Sequence, residues 1–186
     1  MSPSDISRKN QSNLSKVYFG STDIHISRLG LGTVKLGRNQ GVKYPTSFDL
    51  PTDQEAKNLI DHAKDLGINF IDTAPAYGTS EERLGKLLKN SRNDWVICSK
   101  AGEEFIDGKS TYNFTPEHII FSVERSLVRL NTDRIDIVLI HSDGNDLEII
   151  HSGALDALND LKLQGKIRAF GMSTKTIEGG ILEEEK

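Results

Sequence analysis

Four side chains of this 186-residue chain that can bind and release protons, Asp72, Tyr77, Lys100 and His141, each stand at or just beyond the end of a short apolar run. A carboxylate, a phenol, an ammonium and an imidazole brought together can run general acid–base chemistry, one group moving the proton while neighbouring charges tune it. Asp72 closes the run 68–72, Tyr77 lies in the segment after it, Lys100 closes 95–100, and His141 follows 135–140. If these runs are parallel strands, all four side chains meet on one rim. Lys and Asp at the ends of apolar strands are costly unless paired, so Asp72 and Lys100 are expected to form an ion pair. Each residue also has a plainer reading: Asp72 as a loop cap, Tyr77 as a wall residue, Lys100 reaching solvent, His141 serving a backbone carbonyl. Singly the plainer readings are favoured; their coincidence on consecutive run ends is not. A Schiff-base lysine of a barrel isomerase or aldolase would employ Lys100 but leave Tyr77 and Asp72 without work.

The elements that must position these residues follow from periodicity. Residues 17–19 and 24–27 flank the turn Gly20-Ser21-Thr22-Asp23 and read as a short hairpin plugging one end of something larger. Leu29 to Thr33 is a first strand running into a long polar loop, 34–51, whose Tyr44 and Phe48 can roof a site. Thr52 with Glu55 makes a capping box for a helix lined by Ala56, Leu59, Ile60, Ala63 and Leu66 and ended by Gly67. Strands follow at 68–72, 95–100, 135–140 and 167–172. Between them lie helices opened by Ser80 and by Thr115-Pro116, and one through Leu155, Leu158 and Leu161 ending at Gly165. Strand and helix alternate with no adjacent strand pair after the opening hairpin, which demands parallel strands and right-handed crossovers. Alternation permits an open doubly wound sheet or a barrel. Polar residues gathered at the carboxyl ends of the strands favour the barrel.

Composition narrows the function class. With 36% hydrophobic and 27% charged residues and a formal net charge of −4, the chain is an ordinary globular sequence without a nucleic-acid footprint or a basic membrane patch. Residues 1–16 are polar, lack the apolar core of a secretory signal, and read as a flexible tail ahead of a domain over 17–186. No apolar run approaches the roughly 20 residues needed to span a bilayer. The single cysteine, Cys98, sits inside a strand as a core residue, which fits a reducing cytoplasm. His25, His62, His118 and His151 lack ligand spacing, and His141, His151, Asp143 and Asp146 match no known metal arrangement, so no metal is expected.

The run Gly67-Ile68-Asn69-Phe70-Ile71-Asp72-Thr73-Ala74-Pro75-Ala76-Tyr77-Gly78, continuing to Gly85, resembles the signature of the aldo-keto reductases, with its Asp and Tyr five residues apart. Leu29 to Thr33, Cys98-Ser99-Lys100 and Ile135 to His141 resemble that family's other site-bearing strands, and the likeness extends over about residues 17–178. It implies an α/β fold, the (β/α)8 or TIM barrel, and reversible hydride transfer between NADPH, or NADH, and a small carbonyl or sugar substrate. Tyr77 would then be the proton donor, its pKa of about 10 pulled down by Lys100, since an opposite charge within about 4–6 Å lowers a pKa by roughly 1–3. Asp72 would hold Lys100 and keep it protonated, and His141 would hydrogen-bond the substrate oxygen. The resemblance also places Gly32, Thr33 and Asp72 beside the cofactor, Lys35 toward its pyrophosphate, and Ser173 on its carboxamide; Thr174 stands where many members have Asn.

Five strands are counted, against eight in a closed barrel of about 250 residues. The expectation is a barrel truncated after about five strands, from a shortened or interrupted gene, with two open edges that favour self-association. Such a chain lacking the rest is expected to show no turnover, because the distant adenosine phosphate positions the nicotinamide. The alternative is a catalytically inactive reductase-like fragment acting as a binding or regulatory module, against which the intact set of four residues weighs.

Overall fold

The computed structural model describes residues 14–42 and 44–184, so the expected tail over 1–16 lies, up to residue 13, outside the described residues. Strands β1 (Lys16–Tyr18) and β2 (His25–Ser27) pair antiparallel as the expected hairpin. β3 (Gly30–Gly32) runs into one helical turn, α1 (Val34–Gly37), and then the long loop. α2 (Asp53–Asp65) begins at Thr52, whose hydroxyl accepts from Glu55 N at 3.2 Å while the Glu55 carboxylate accepts from Thr52 N at 2.8 Å. This is the expected capping box, which satisfies two otherwise orphaned donors. There follow β4 (Phe70–Asp72), α3 (Ser80–Leu87), β5 (Val96–Ala101), β6 (Glu103–Ile106), β7 (Lys109–Tyr112) and α4 (Pro116–Arg129). β8 (Ile135–His141), α5 (Asp146–Ile150), α6 (Ala154–Leu163), β9 (Ile167–Ser173) and α7 (Ile177–Glu184) complete the described elements, none of them a helix long and apolar enough to cross a membrane.

The main sheet runs β3-β4-β5-β8-β9, every pair parallel, with helices in the crossovers. It is the expected α/β arrangement, five strands of barrel wall with β3 and β9 at the outer edges. Side chains alternate across it with period two. On one face Ile71, Ile97, Val138 and Ile140 pack under Ala56, Ile60, Leu84, Ile119, Val123, Leu158 and Leu161 of the helices. On the other face Val96, Cys98, Ile137 and Ala169 form a smaller cluster with Phe70 and Leu139, closed by Ile24, Phe19 and Ile26 of the hairpin region. The hairpin is thus a plug on the inner face, as its position in the sequence implied. Each fully buried Ile or Leu contributes about 2–3 kcal/mol relative to exposure, so both faces hold the wall together.

Two expectations are corrected. A second antiparallel hairpin, β6 with β7, follows β5, where no adjacent strand pair was expected. Its turn is Asp107-Gly108, with φ of 51° and 78°, the left-handed pair that a two-residue hairpin turn requires and that Asp-Gly supplies at low cost. Ser80 does not cap α3: Thr79 occupies that position, and the Ser80 hydroxyl turns inward to donate to Thr33 O at 3.1 Å and Thr33 Oγ1 at 2.9 Å. Asp136, the one charged residue inside β8, is satisfied by Arg92 at 2.9 Å, Arg168 at 3.1 Å and Ile97 N at 3.0 Å, which lets a buried carboxylate persist in an apolar strand.

Candidate active site

Continuing the inner-face alternation to the strand ends gives the chemistry. Phe70 leads to Asp72, Val96 and Cys98 lead to Lys100, and Ile137 and Leu139 lead to His141, so apolar residues below carry polar ones at the rim. Register places Gly32 beside Asp72 and His141 beside Ser173. Each of the five strand ends therefore delivers one sequence-predicted residue to the same edge of the wall.

Lys100 Nζ sits 2.7 and 2.8 Å from the two oxygens of Asp72, donates to Thr73 O at 3.1 Å, and lies 3.3 Å from the Tyr77 hydroxyl. The expected ion pair is present. Its lysine is 7% exposed and its carboxylate 35% exposed. Burial pulls the Lys100 ammonium down, but Asp72 and then Tyr77 outweigh it, and the ammonium is held above its ordinary range. The Tyr77 ring stands edge-on to the His141 ring, centroids 6.2 Å apart.

For Tyr77 the structure reverses an expectation. Burial pushes the phenol up, Lys100 pulls it down, Asp72 and Glu103 push it up again, and the net direction is above the ordinary tyrosine value. Burial is the largest cause, and the relief from Lys100 is limited because its ammonium meets Asp72 at 2.7 Å and the phenol at 3.3 Å, alongside two carboxylates. Tyr77 is a protonated phenol at neutral pH, the form that can give a proton.

The support beneath Asp72 is a set of fully buried hydroxyls. Thr33 Oγ1 donates to Asp72 O at 2.8 Å, its amide donates to the same oxygen at 3.0 Å, and Thr73 Oγ1 meets Ser80 Oγ at 3.2 Å. Thr33, expected beside the cofactor, is 0% exposed and turned inward, so its side chain braces the strand end. Gly32 next to it is open, an added Cβ meeting no atom within 4 Å. Lys35 lies with its ammonium 4.0 Å from the Tyr44 ring and 4.8 Å from the Phe48 ring, a cation–π contact that folds the long loop back on α1.

The Tyr77 loop is fixed by a close backbone approach. Gly78 has φ of 61°, and a Cβ there would stand 2.2 Å from Gly37 O; one at Gly37 would stand 2.3 Å from Tyr77 O. Only glycine at both positions lets α1 touch the loop. Arg38 joins the walls around the site: it donates to Ala76 O at 3.0 Å, stacks 3.4 Å from the Phe105 ring centroid, and lies 3.8 Å from Glu103.

Glu103 and Arg38 were missed by sequence reasoning. Glu103, buried on β6, lies 2.8 Å from His141 Nδ1. The Asp-Gly turn that brings β6 and β7 back over the rim was the available signal. Asp146, singly unremarkable in the sequence, accepts from Ser142 Oγ, Lys175 N at 2.8 Å, Thr176 N at 2.6 Å and Thr176 Oγ1 at 2.7 Å, and so ties the loop after β8 to the loop after β9. Among the described residues no three His, Cys, Asp or Glu side chains converge as a metal site.

Comparison with known proteins agrees with this fold. A structure of a putative aldo-keto reductase from Pseudomonas aeruginosa superposes with a TM-score of 0.86 at 51% identity, covering 94% of this chain and 66% of that one. An uncharacterized oxidoreductase of Bacillus subtilis is 34% identical over 159 residues, 83% of this chain and 47% of its own length. An NADH-specific methylglyoxal reductase of Escherichia coli is 36% identical over 174 residues, 85% of this chain and 51% of its own. The chain spans about half the length of the curated relatives it matches. The aldo/keto reductase family model matches residues 28–179, and on that match and these likenesses the chain belongs to the aldo/keto reductase family.

Proposed function

We propose that this rim is the hydride-transfer site of a nicotinamide-dependent oxidoreductase acting on a small aldehyde, ketone or sugar lactol. The observation that carries the proposal is Lys100 Nζ held between Asp72 and the Tyr77 hydroxyl, with the His141 ring facing Tyr77. Tyr77, kept protonated by burial, gives its proton to the carbonyl oxygen. Lys100 stabilises the phenolate left behind, and Asp72 keeps Lys100 charged and in place. His141 hydrogen-bonds the same oxygen and orients the carbonyl.

The residues present fit a nicotinamide. Open space over Gly32 beside Asp72, and Ser173 across the rim next to His141, bracket the four side chains. Gly32 and Asp72 would line its ring, Ser173 would meet its carboxamide, and Lys35, released from Tyr44 and Phe48, would reach the pyrophosphate. When bound, the cofactor supplies the hydride. NADPH is the proposed cofactor and NADH the alternative, which the NADH-specific relative keeps in play. A cytoplasmic setting, compatible with the single unpaired Cys98, and self-association through the edges of β3 and β9 belong to the same proposal.

Titration of NADPH, with NADH in parallel, followed by nicotinamide fluorescence tests the site. In a barrel carried to eight strands saturable binding is expected, with Tyr77→Phe binding equally well and losing turnover by about 10²–10⁴-fold. A folded, monodisperse sample of that eight-stranded barrel without binding, or a Tyr77→Phe variant with full turnover, would overturn the proposal.

A further inference from the structure

The residues already assigned leave one buried charge at the rim unexplained. The Glu103 carboxylate, 8% exposed, meets His141 Nδ1 at 2.8 Å through Oε2, accepts from Ser110 Oγ at 2.6 Å through Oε1, and has Arg38 Nη1 at 3.8 Å. Burial by itself pushes this carboxyl up, but His141, Ser110 and Arg38 together hold it below the ordinary range. It is ionised and has no proton to give. His141 Nδ1 is itself buried, and Glu103, although out of line with the ring N–H, is the carboxylate facing it. A carboxylate oxygen against a ring nitrogen is repulsive unless the nitrogen carries hydrogen.

We propose that Glu103 is a positioning residue that keeps a proton on His141 Nδ1, so that Nε2 is the ring atom presented to the reacting oxygen. On a neutral ring Nε2 accepts from an alcohol hydroxyl; on a cationic ring it donates to a carbonyl oxygen. Ser110 and Arg38 fix the carboxylate from behind, which assigns the β6–β7 hairpin a part in the chemistry beyond forming a wall. For the task of Nε2 this rests on the reductase reading, whereas the proton position on the ring does not.

The test is ¹⁵N NMR of the histidine-labelled chain at alkaline pH, where the ring is neutral. The expected wild-type spectrum has the pyrrole-type nitrogen of His141 at Nδ1 and the pyridine-type nitrogen at Nε2. In Glu103→Leu the pyridine-type signal moves toward Nδ1, and in Glu103→Gln, whose amide oxygen still faces Nδ1–H, it stays. Unmoved signals of His25, His62, His118 and His151 report an intact fold. A wild-type His141 protonated at Nε2 overturns the proposal without any variant, and so does an identical His141 pattern in a folded Glu103→Leu. With a carbonyl substrate in hand, Glu103→Leu is expected to lower kcat about tenfold while KM changes less than twofold, and Glu103→Gln to keep most of it; an unchanged kcat in a folded Glu103→Leu overturns the proposal. Absence of turnover by a wild-type barrel carried to eight strands would instead sink the reductase reading and leave the proton position to the spectrum.

Discussion

Lys100 Nζ bridges both oxygens of Asp72 at 2.7 and 2.8 Å from the neighbouring strand, so the buried ammonium owes its charge to one carboxylate. Replacing Asp72 with Asn removes that charge and leaves Lys100 against a neutral amide. Breaking a fully buried pair costs about 3–5 kcal/mol, and the part-exposed Asp72 lowers this to about 2 kcal/mol. Urea unfolding should show that loss at pH 7. Because the Lys100 and Tyr77 pKa values are both raised on folding, their contribution is complete below about pH 10 and is lost as pH rises beyond it. A wild-type melting temperature that stays level from pH 9 to 11.5 would refute this coupling.

Glu81 offers a second pH window, of opposite consequence for neutral solutions. It is buried at the start of α3, accepts from Ser99 Oγ at 2.6 Å through one oxygen, and has its other oxygen without a hydrogen-bond partner, with Arg129 at 3.7 Å. Burial raises its pKa, Ser99, Ser126 and Arg129 pull against it, and the net direction is up. A raised carboxyl contributes stability that is whole below pH 4.5 and lost as pH climbs through the folded value. Glu81→Gln should flatten the stability profile on the alkaline side of pH 4.5; two parallel profiles would show that Glu81 is not its source.

Gly78→Ala should be among the most damaging small substitutions. Its φ of 61° strains any side chain, and the added Cβ would meet Gly37 O at 2.2 Å. A loss of roughly 2–3 kcal/mol is expected from strain and overpacking together. The Tyr77 loop must shift to relieve the contact, so Tyr77 fluorescence quenching should change along with the unfolding midpoint. A variant as stable as wild type would mean that α1 yields easily.

Cys98 should be inert in the folded chain. It is 1% exposed on the inner face, and burial pushes its thiol up to about 12. Reaction with a thiol reagent should follow global unfolding and accelerate with urea. Rapid labelling of the native chain would show that the inner face opens to solvent.

Much of this was legible in the sequence because apolar period and cap chemistry are local. Thr52 with Glu55, Thr115 with Pro116, and the strands carrying Asp72, Lys100 and His141 all stand where periodicity put them. What escaped depended on contacts across long separations. Glu103 reaches His141 only because Asp107-Gly108 turns the chain back, and a Glu pair after a strand looks like ordinary solvated charge. Arg38 acquires its partners Ala76, Phe105 and Glu103 from three different segments. The direction of the Tyr77 shift turned on burial outweighing Lys100, which spacing along the chain does not encode.

The alternation of the wall separates two kinds of mutational freedom. Along Val96–Ala101 the even positions face Cys98 and Lys100's side of the sheet, and the odd ones face the helices, where Ser99 holds Glu81. Adjacent codons therefore answer to different neighbours, the even ones to the hairpin cluster and the rim, the odd ones to the helix layer. A change at an even position is felt by the hairpin and the rim, and a change at an odd position by the helices, so neighbouring substitutions on one strand disturb separate layers.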